Sequence, residues 1–163
     1  GIPAEPLFRS SYIVLRTTLI TGFPGESEED HKEVLDFVED TGFDRLGVFT
    51  YSQEEGTPAA TMDEQIDEDI KVQRRNEIME LQQEIVFDKN DNLVGQEFEV
   101  IIEGKIPMEN AYIGRTYMDA PGVDSNIFVV TDEELMSGEF VKVSVTGAND
   151  YDFIGDLTER LED

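Results

Sequence analysis

The stretch that decides the fold runs from residue 12 to residue 26 and reads YIVLRTTLIT followed by GFPGE. Residues 12–21 are mostly β-branched or aliphatic, which is typical of a strand buried in a parallel sheet. Two glycines and a proline then interrupt the strand within residues 22–26. A helix is expected next, because Ser27 can cap a helix N-terminus and several acidic residues surround it. This order of strand, turn and helix predicts an α/β fold at the start of the chain.

The following segment repeats the order of strand and helix. Residues 27–41 are predicted to form the first helix, and residues 44–51 the second strand. A long helix is predicted over residues 62–90, with Thr61 and Glu64 spaced as a capping box. The expected apolar face of this helix consists of Ile66, Ile70, Ile78, Leu81 and Ile85. Strands and helices in this order predict parallel pairing. Two such units leave sheet edges uncovered, so more chain or a second copy of this chain is expected to cover them.

From Gly95 onward, apolar and polar residues alternate. Val141, Val143 and Val145, for example, alternate with polar side chains. Five short stretches of this kind are separated by turns rich in Gly, Pro, Asn and Asp, which predicts a small antiparallel barrel or sandwich. The fold class expected for the whole chain is therefore α/β followed by all-β, and the domains are predicted to be residues 12–91 and 92–163.

The chain is strongly acidic, with 38 Asp and Glu against 12 Lys and Arg and a net charge of −26 over 163 residues. Residues 92–163 hold 16 acidic and four basic side chains, a net charge of −12. A field of this sign repels phosphate, so direct binding to nucleic acid or to an anionic membrane is not expected. The sequence contains no Cys and hence no thiolate ligand. No signal segment or membrane-length apolar run is visible, so a cytoplasmic location is expected.

Two loops are candidates for a functional site. The turn at residues 22–26 follows a parallel strand, at the sheet edge where ligands usually bind, although an ordinary strand-to-helix turn would look the same. Four acidic residues crowd the following helix start, so a neutral or zwitterionic ligand fits better than a phosphate. The loop at residues 51–57 leaves the second strand at the same edge, and its alternative interpretation is a plain polar loop. His31 has no companion ligands, so no metal site is expected.

Several motifs, in the correct order, resemble the radical S-adenosylmethionine (SAM) methylthiotransferases. Residues 15–26 resemble a late strand of the radical SAM barrel, residues 51–60 the exit loop of the next strand, and residues 73–83 the linking helix. The segment from Gly95 to the end resembles the TRAM domain of that family, including Gly114, Arg115, Glu134, Leu135 and Gly138. The likeness implies two βα units of a partial radical SAM (TIM-like) barrel, followed by a five-stranded antiparallel TRAM barrel. Residues 1–11 do not resemble the family.

Two branches of this family differ in their substrate. One branch modifies a base of tRNA, and the other adds a methylthio group to the β-carbon of an aspartate in a small-subunit ribosomal protein. The tRNA branch usually has Arg-Pro where this chain has Glu54 and Glu55, and its TRAM domain needs positive charge to hold RNA. An acidic TRAM domain suits a basic ribosomal protein through complementary charge. The ribosomal-protein branch is therefore expected; a tRNA-modifying enzyme and a stand-alone acidic adaptor are the alternatives.

The resemblance also implies cofactors and site residues. The family uses S-adenosylmethionine and two 4Fe–4S clusters, each bound by three Cys, so a chain without Cys holds no cluster ligands and is expected to be inactive alone. By the same likeness, Thr18, Gly22 and Glu26 would lie on the adenosylmethionine side of the barrel. The residues expected to face the substrate are Tyr51, Ser52, Glu54, Glu55, Glu97 and Glu99. No catalytic residue and no metal ligand is assigned to this chain.

Overall fold

The computed structural model of the protein describes residues 13–161. The segment without family resemblance, residues 1–11, lies outside these described residues. The described chain forms two compact units that divide between Val86 and Phe87. No helix within residues 13–161 combines the length and apolarity that crossing a membrane requires.

The first unit starts with the predicted strand, helix and strand. Its elements are β1 (Arg16–Thr21), α1 (Glu28–Thr41), β2 (Arg45–Thr50), a 3₁₀ turn (Ala59–Thr61) and α2 (Glu68–Leu93), which continues into the second unit. Ser27 caps α1 as expected, because its Oγ accepts a hydrogen bond from the Asp30 amide at 3.1 Å. The Asp30 carboxylate in turn accepts one from the Ser27 amide at 2.8 Å, so the two residues form a capping box.

The start of α2 differs from the sequence prediction. The helix begins at Glu68, and the capping box expected at residues 61–64 is absent. Thr61 Oγ1 donates instead to the Pro58 carbonyl oxygen at 2.9 Å, and Glu64 has a positive φ of 61°. The expected apolar face is also wrong at two positions, because Ile66 precedes the helix and Ile70 is 38% exposed.

The sheet of the first unit is a parallel pair of strands, as predicted. Thr18 pairs with Gly47, and Thr21 pairs with Thr50 at the carboxyl end. One face of the sheet packs on a core of Val38, Phe43, Val48 and Ile78, with aliphatic side chains from the strands and both helices around it. On the other face, Ile20 and Phe49 are neighbours and are 62% and 63% exposed. We call this second face the open sheet face; it comprises Thr18, Ile20, Gly47 and Phe49.

The second unit is a closed barrel of five strands. After the end of α2 come β3 (Glu97–Lys105), β4 (Ala111–Arg115), β5 (Ile127–Val130), β6 (Phe140–Asn149) and β7 (Asp152–Arg160). The strands follow one another around the barrel in the order β3-β4-β5-β7-β6, and β6 pairs with β3. The number of strands is as predicted, but the fully antiparallel pairing is wrong, since β5 and β7 are parallel. A closed ring with an odd number of strands cannot alternate direction throughout, so at least one neighbouring pair must be parallel.

Inward side chains of the five strands fill the barrel, together with Leu135 from the segment between β5 and β6. The buried core consists of Val100, Ile102, Tyr112, Ile127, Val129, Leu135, Val141, Val143, Val145 and Phe153. Gly155 permits close packing between β6 and β7, because a Cβ there would lie 2.5 Å from Val143 Cγ1 and 2.6 Å from the Ser144 carbonyl oxygen. Large apolar side chains thus form the core of the barrel. The absence of a side chain at Gly155 lets β6 and β7 approach closely.

Candidate functional site

The two loops singled out from the sequence begin side by side. Because Thr21 and Thr50 are paired at the ends of parallel strands, the residues that follow them emerge at one edge of the sheet. The Tyr51 amide donates to the Thr21 carbonyl oxygen at 2.8 Å. The Tyr51 ring meets Phe23 edge-on, with ring centroids 5.3 Å apart. The structure thus brings the turn at residues 22–26 and the start of the 51–57 loop into contact.

Lys71 of α2 contacts both loops from a buried position. Its side chain is 7% exposed, and Nζ donates to the Tyr51 carbonyl oxygen and to a Glu68 carboxylate oxygen, both at 3.1 Å. Nζ also lies 5.3 Å from the centroid of the Tyr51 ring, within the range of a cation–π contact. The aliphatic part of Lys71 covers Gly22, where a Cβ would lie 2.3 Å from Lys71 Cγ. Gly22 has a φ of 74°, so packing and backbone conformation both require glycine there.

Arg74, one helical turn further along α2, holds Glu26. Arg74 Nη1 donates to the Glu26 carbonyl oxygen at 3.0 Å and to its Oε1 at 2.7 Å, and Nη2 donates to Glu28 Oε1 at 2.6 Å. Glu26 Oε2 accepts the Gly22 amide at 2.8 Å, so both carboxylate oxygens are engaged. Burial disfavours the charged guanidinium, but its hydrogen bonds to Glu28 and Glu26 outweigh burial and raise the pKa of Arg74. We call Gly22, Glu26, Tyr51, Lys71 and Arg74 the carboxyl-end cluster.

The remaining predicted residues of the first unit are exposed. Thr18 lies on the open sheet face beside Gly47, whose Cβ, if it had one, would lie 3.8 Å from Thr18 Oγ1. In the loop after β2, Ser52 Oγ donates to Glu54 Oε1 at 2.7 Å, and Glu55 is exposed to solvent. The Tyr51 hydroxyl is different, since it is buried and finds no hydrogen-bond partner among the described residues.

The two predicted residues of the second unit lie on the outside of the barrel. Glu97 and Glu99 of β3 are exposed, and Glu99 is the register partner of Lys142 on β6. Lys142 forms an ion pair with Glu159 of β7. The hydrogen bond from Lys142 to Glu159 raises the pKa of the ammonium group, and the nearby charges of Glu97 and Glu99 act in the same direction. We call Glu97, Glu99, Lys142 and Glu159 the acidic barrel face.

The sequence interpretation missed the two buried cations of α2. Lys71, Arg74, Ile78 and Gln82 are all buried and recur at intervals of three or four residues, which places them on one helix stripe. Gln82 Nε2 donates to the Phe43 carbonyl oxygen at 2.7 Å, so it also binds a loop. The spacing was visible in the sequence, but charged side chains are usually assigned to the solvent face of a helix.

The described residues contain no group of three or more His, Asp or Glu that could hold a metal ion. His31 is the single histidine of the sequence. It is buried, and its Nε2 lies 2.7 Å from a Glu77 carboxylate oxygen.

Comparisons with known proteins match the second unit to a domain family and most of the chain to named relatives. Residues 94–158 match the TRAM domain family, and this range includes nearly all of the barrel of the second unit. Over most of its length the chain is similar to proteins named ribosomal protein uS12 methylthiotransferase RimO. The identities are 58% over 143 residues with the protein of Lachnoclostridium phytofermentans and 48% over 148 residues with that of Clostridioides difficile. The protein of Acetivibrio thermocellus is 50% identical over 145 residues.

These matches cover 88%, 91% and 89% of this chain but only 32%, 33% and 32% of the relatives. The chain therefore spans about a third of the length of the curated relatives it matches. These matches confirm the resemblance to the methylthiotransferases that the sequence motifs indicated. The resemblance includes the TRAM domain and the ribosomal-protein branch of the family.

Proposed function

We propose that this chain is the C-terminal part of a ribosomal-protein methylthiotransferase and joins the end of a radical SAM barrel to a TRAM domain. The observation that carries the proposal is the 58% identity with the Lachnoclostridium phytofermentans relative over 88% of this chain. The complete enzyme would add a methylthio group to the β-carbon of an aspartate in ribosomal protein uS12, in the cytoplasm. The parallel β1–β2 pair with its open sheet face is what a piece of such a barrel requires.

The first unit would form part of the adenosylmethionine side of the barrel. Adenosylmethionine supplies radical chemistry when bound, and the protein positions and shields it. We expect the adenosine group to lie against the open sheet face, where Thr18 is exposed, Gly47 has no side chain, and Ile20 and Phe49 offer apolar surface. Of the other two residues expected to bind it, Gly22 is buried and Glu26 is fully engaged by Gly22 and Arg74. The iron–sulfur clusters need thiolate ligands that this chain lacks, so we expect no activity from the chain alone.

The second unit would bind the substrate protein through the acidic barrel face. Glu97 and Glu99 stand exposed on one strand of a module whose residues 92–163 carry a net charge of −12. We expect the ribosomal-protein substrate to be basic, so that complementary charge would accelerate encounter and favour the correct partner. The same field disfavours RNA as the direct partner of this surface.

A chimera tests the proposal as a whole. Residues 13–161 replace the matching third of the Lachnoclostridium phytofermentans relative, and modification of uS12 is followed by mass spectrometry of the substrate aspartate. The chimera is expected to retain methylthiolation. A chimera that folds and carries its clusters but does not modify uS12 contradicts the proposal, and the unaltered relative serves as control.

A binding experiment tests the docking surface. Glu97→Lys and Glu99→Lys in this chain are expected to weaken binding to uS12, and binding of the unaltered chain should fall steeply with salt. Glu109→Lys, the same charge change at an exposed turn residue, is the matched control and should weaken binding less. Equal weakening by all three substitutions would show that only net charge matters. It would contradict the assignment of the docking surface to the acidic barrel face. Tight binding of tRNA at physiological salt would instead favour the tRNA-modifying branch.

A further inference from the structure

Two buried cations of α2 reach past their own helix to the loops at the carboxyl end of the sheet. Lys71 and Arg74 are three residues apart, and as whole residues they are 6% and 5% exposed. Removing a cation from water is costly unless polar groups surround it. The partners here include the carbonyl oxygens of Tyr51 and Glu26, which belong to the two loops, and the carboxylate of Glu26. The contacts of these cations therefore tie the helix to both loops.

The contacts of Arg74 continue to Gly22. Arg74 Nη1 holds Glu26 Oε1 at 2.7 Å, and the other oxygen of the same carboxylate holds the Gly22 amide at 2.8 Å. Hydrogen bonds to charged groups are stronger than neutral ones, so this chain of contacts restricts the turn that follows β1. Lys71 restricts the start of the second loop through the Tyr51 carbonyl oxygen at 3.1 Å.

We infer that Arg74 and Lys71 are positioning residues. They hold the Gly22 turn and the Tyr51 loop in the conformation that is needed to bind a ligand at the carboxyl-end edge of the sheet. In this arrangement Glu26 acts through Gly22 and contacts no ligand itself. The inference rests on the proposed function for the identity of the ligand, adenosylmethionine, while the positioning itself is a property of this chain.

The first experiment measures the turn directly, without any ligand. Arg74→Gln removes the charged guanidinium that holds Glu26 and Glu28, and amide hydrogen exchange at Gly22, followed by NMR, is expected to become faster by about tenfold or more. Arg75→Gln is the matched control, because it removes the same charge one residue away. The Arg75 guanidinium donates to Asn76 and to neither loop group discussed above. Unchanged exchange at Gly22 in folded Arg74→Gln protein overturns the inference for Arg74.

A second variant keeps the inference testable if Arg74→Gln does not fold. Lys71→Met retains the aliphatic chain over Gly22 but removes Nζ, so the core packing is preserved. The carbonyl ¹³C shift of Tyr51 is expected to move, and the amides of the following loop are expected to exchange faster. An unchanged Tyr51 carbonyl shift overturns the inference for Lys71.

The third experiment connects positioning to the ligand. In the chimera described above, calorimetry with S-adenosylhomocysteine is expected to show a Kd at least about fivefold higher for Arg74→Gln and Lys71→Met. Arg75→Gln should leave the Kd unchanged. Faster loop exchange together with an unchanged Kd overturns the link to the ligand. No binding by the unaltered chimera contradicts the proposed function instead, and the exchange experiments then decide the positioning on their own.

Discussion

Single residues at the carboxyl-end cluster combine a local and a distant constraint. Gly22 needs a positive φ, which the turn sequence indicates, and it also lies against Lys71, which is 49 positions later in the sequence. Glu26 shows the same combination, since it belongs to the turn but its carboxylate is held by Arg74. The role of each residue is therefore decided by a partner that no local pattern identifies.

Substitution of Gly22 should be more harmful than substitution of its neighbour Gly25. Gly22→Ala meets a positive φ and Lys71 Cγ at 2.3 Å, and we expect a loss of about 2–4 kcal/mol in unfolding free energy. Gly25→Ala meets a φ of 87° but only an ordinary contact at 3.5 Å, so its expected loss is about 1–2 kcal/mol. Urea unfolding followed by circular dichroism measures both, and equal losses would show that the contact with Lys71 is relieved without cost.

The pH dependence of the first unit should include a contribution from Glu77. Hydrogen bonds from Gln73 and His31 hold the pKa of Glu77 below its ordinary value of 4.5. A carboxyl with a lowered folded pKa stabilises the fold above its ordinary value, and that contribution disappears as the pH falls below 4.5 through the folded pKa. Its size should stay below about 1 kcal/mol, because the side chain is 40% exposed.

Glu77→Gln should therefore lower the unfolding free energy at neutral pH and have less effect in acid. Urea unfolding at a series of pH values measures the difference between the two proteins, with Glu80→Gln as control for the same charge change at an exposed position of the same helix. A difference that grows toward low pH would contradict the assignment.

At the scale of elements, the periodicity of apolar residues predicts the buried side chains well in the barrel strands but less well in α2. The alternation of Val141, Val143 and Val145 in β6 agrees with the structure, in which all three lie in the barrel core. In α2 the buried stripe includes two cations and an amide, so hydropathy alone assigned Ile70 wrongly to the buried face.

Close approach between strands should make Gly155 sensitive to substitution. Gly155→Ala would place a Cβ 2.6 Å from the Ser144 carbonyl oxygen, which is backbone and cannot rotate away, and we expect a loss of about 2–3 kcal/mol. Gly104→Ala, in β3, has nothing within 4 Å of its Cβ and should change stability by less than about 1 kcal/mol. Chemical unfolding of the two variants tests this difference, and similar losses would mean that β6 and β7 separate easily.

At the scale of the whole molecule, the two units differ in whether every strand of their sheets has a neighbour on both sides. The barrel closes on itself, so each of its strands has two neighbours. The sheet of the first unit has two strands among residues 13–161, and Ile20 and Phe49 are more than 60% exposed on its open face. Unpaired edges and apolar faces favour association with other chain segments.

Separate expression of the two units should reveal this difference. Residues 87–161 are expected to fold alone as a monomer with a well-dispersed NMR spectrum. Residues 13–86 are expected to self-associate or to lose dispersed signals, as judged by sedimentation and NMR. A monomeric, well-dispersed spectrum from residues 13–86 would show that the open sheet face needs no cover.

The sequence by itself determined the order of the elements, the Ser27 cap, the five barrel strands, the acidity and the likeness to the methylthiotransferases. These features depend on short-range periodicity, local hydrogen bonding and composition, which can be read along the chain. Only the tertiary structure decided that Lys71 and Arg74 hold the loops at Tyr51 and Glu26, and that β5 runs parallel to β7. Arg74 meets Glu26 across 48 residues, and β5 meets β7 once the ring of strands is closed. Contacts of that kind depend on how distant segments meet in space, which local periodicity does not encode.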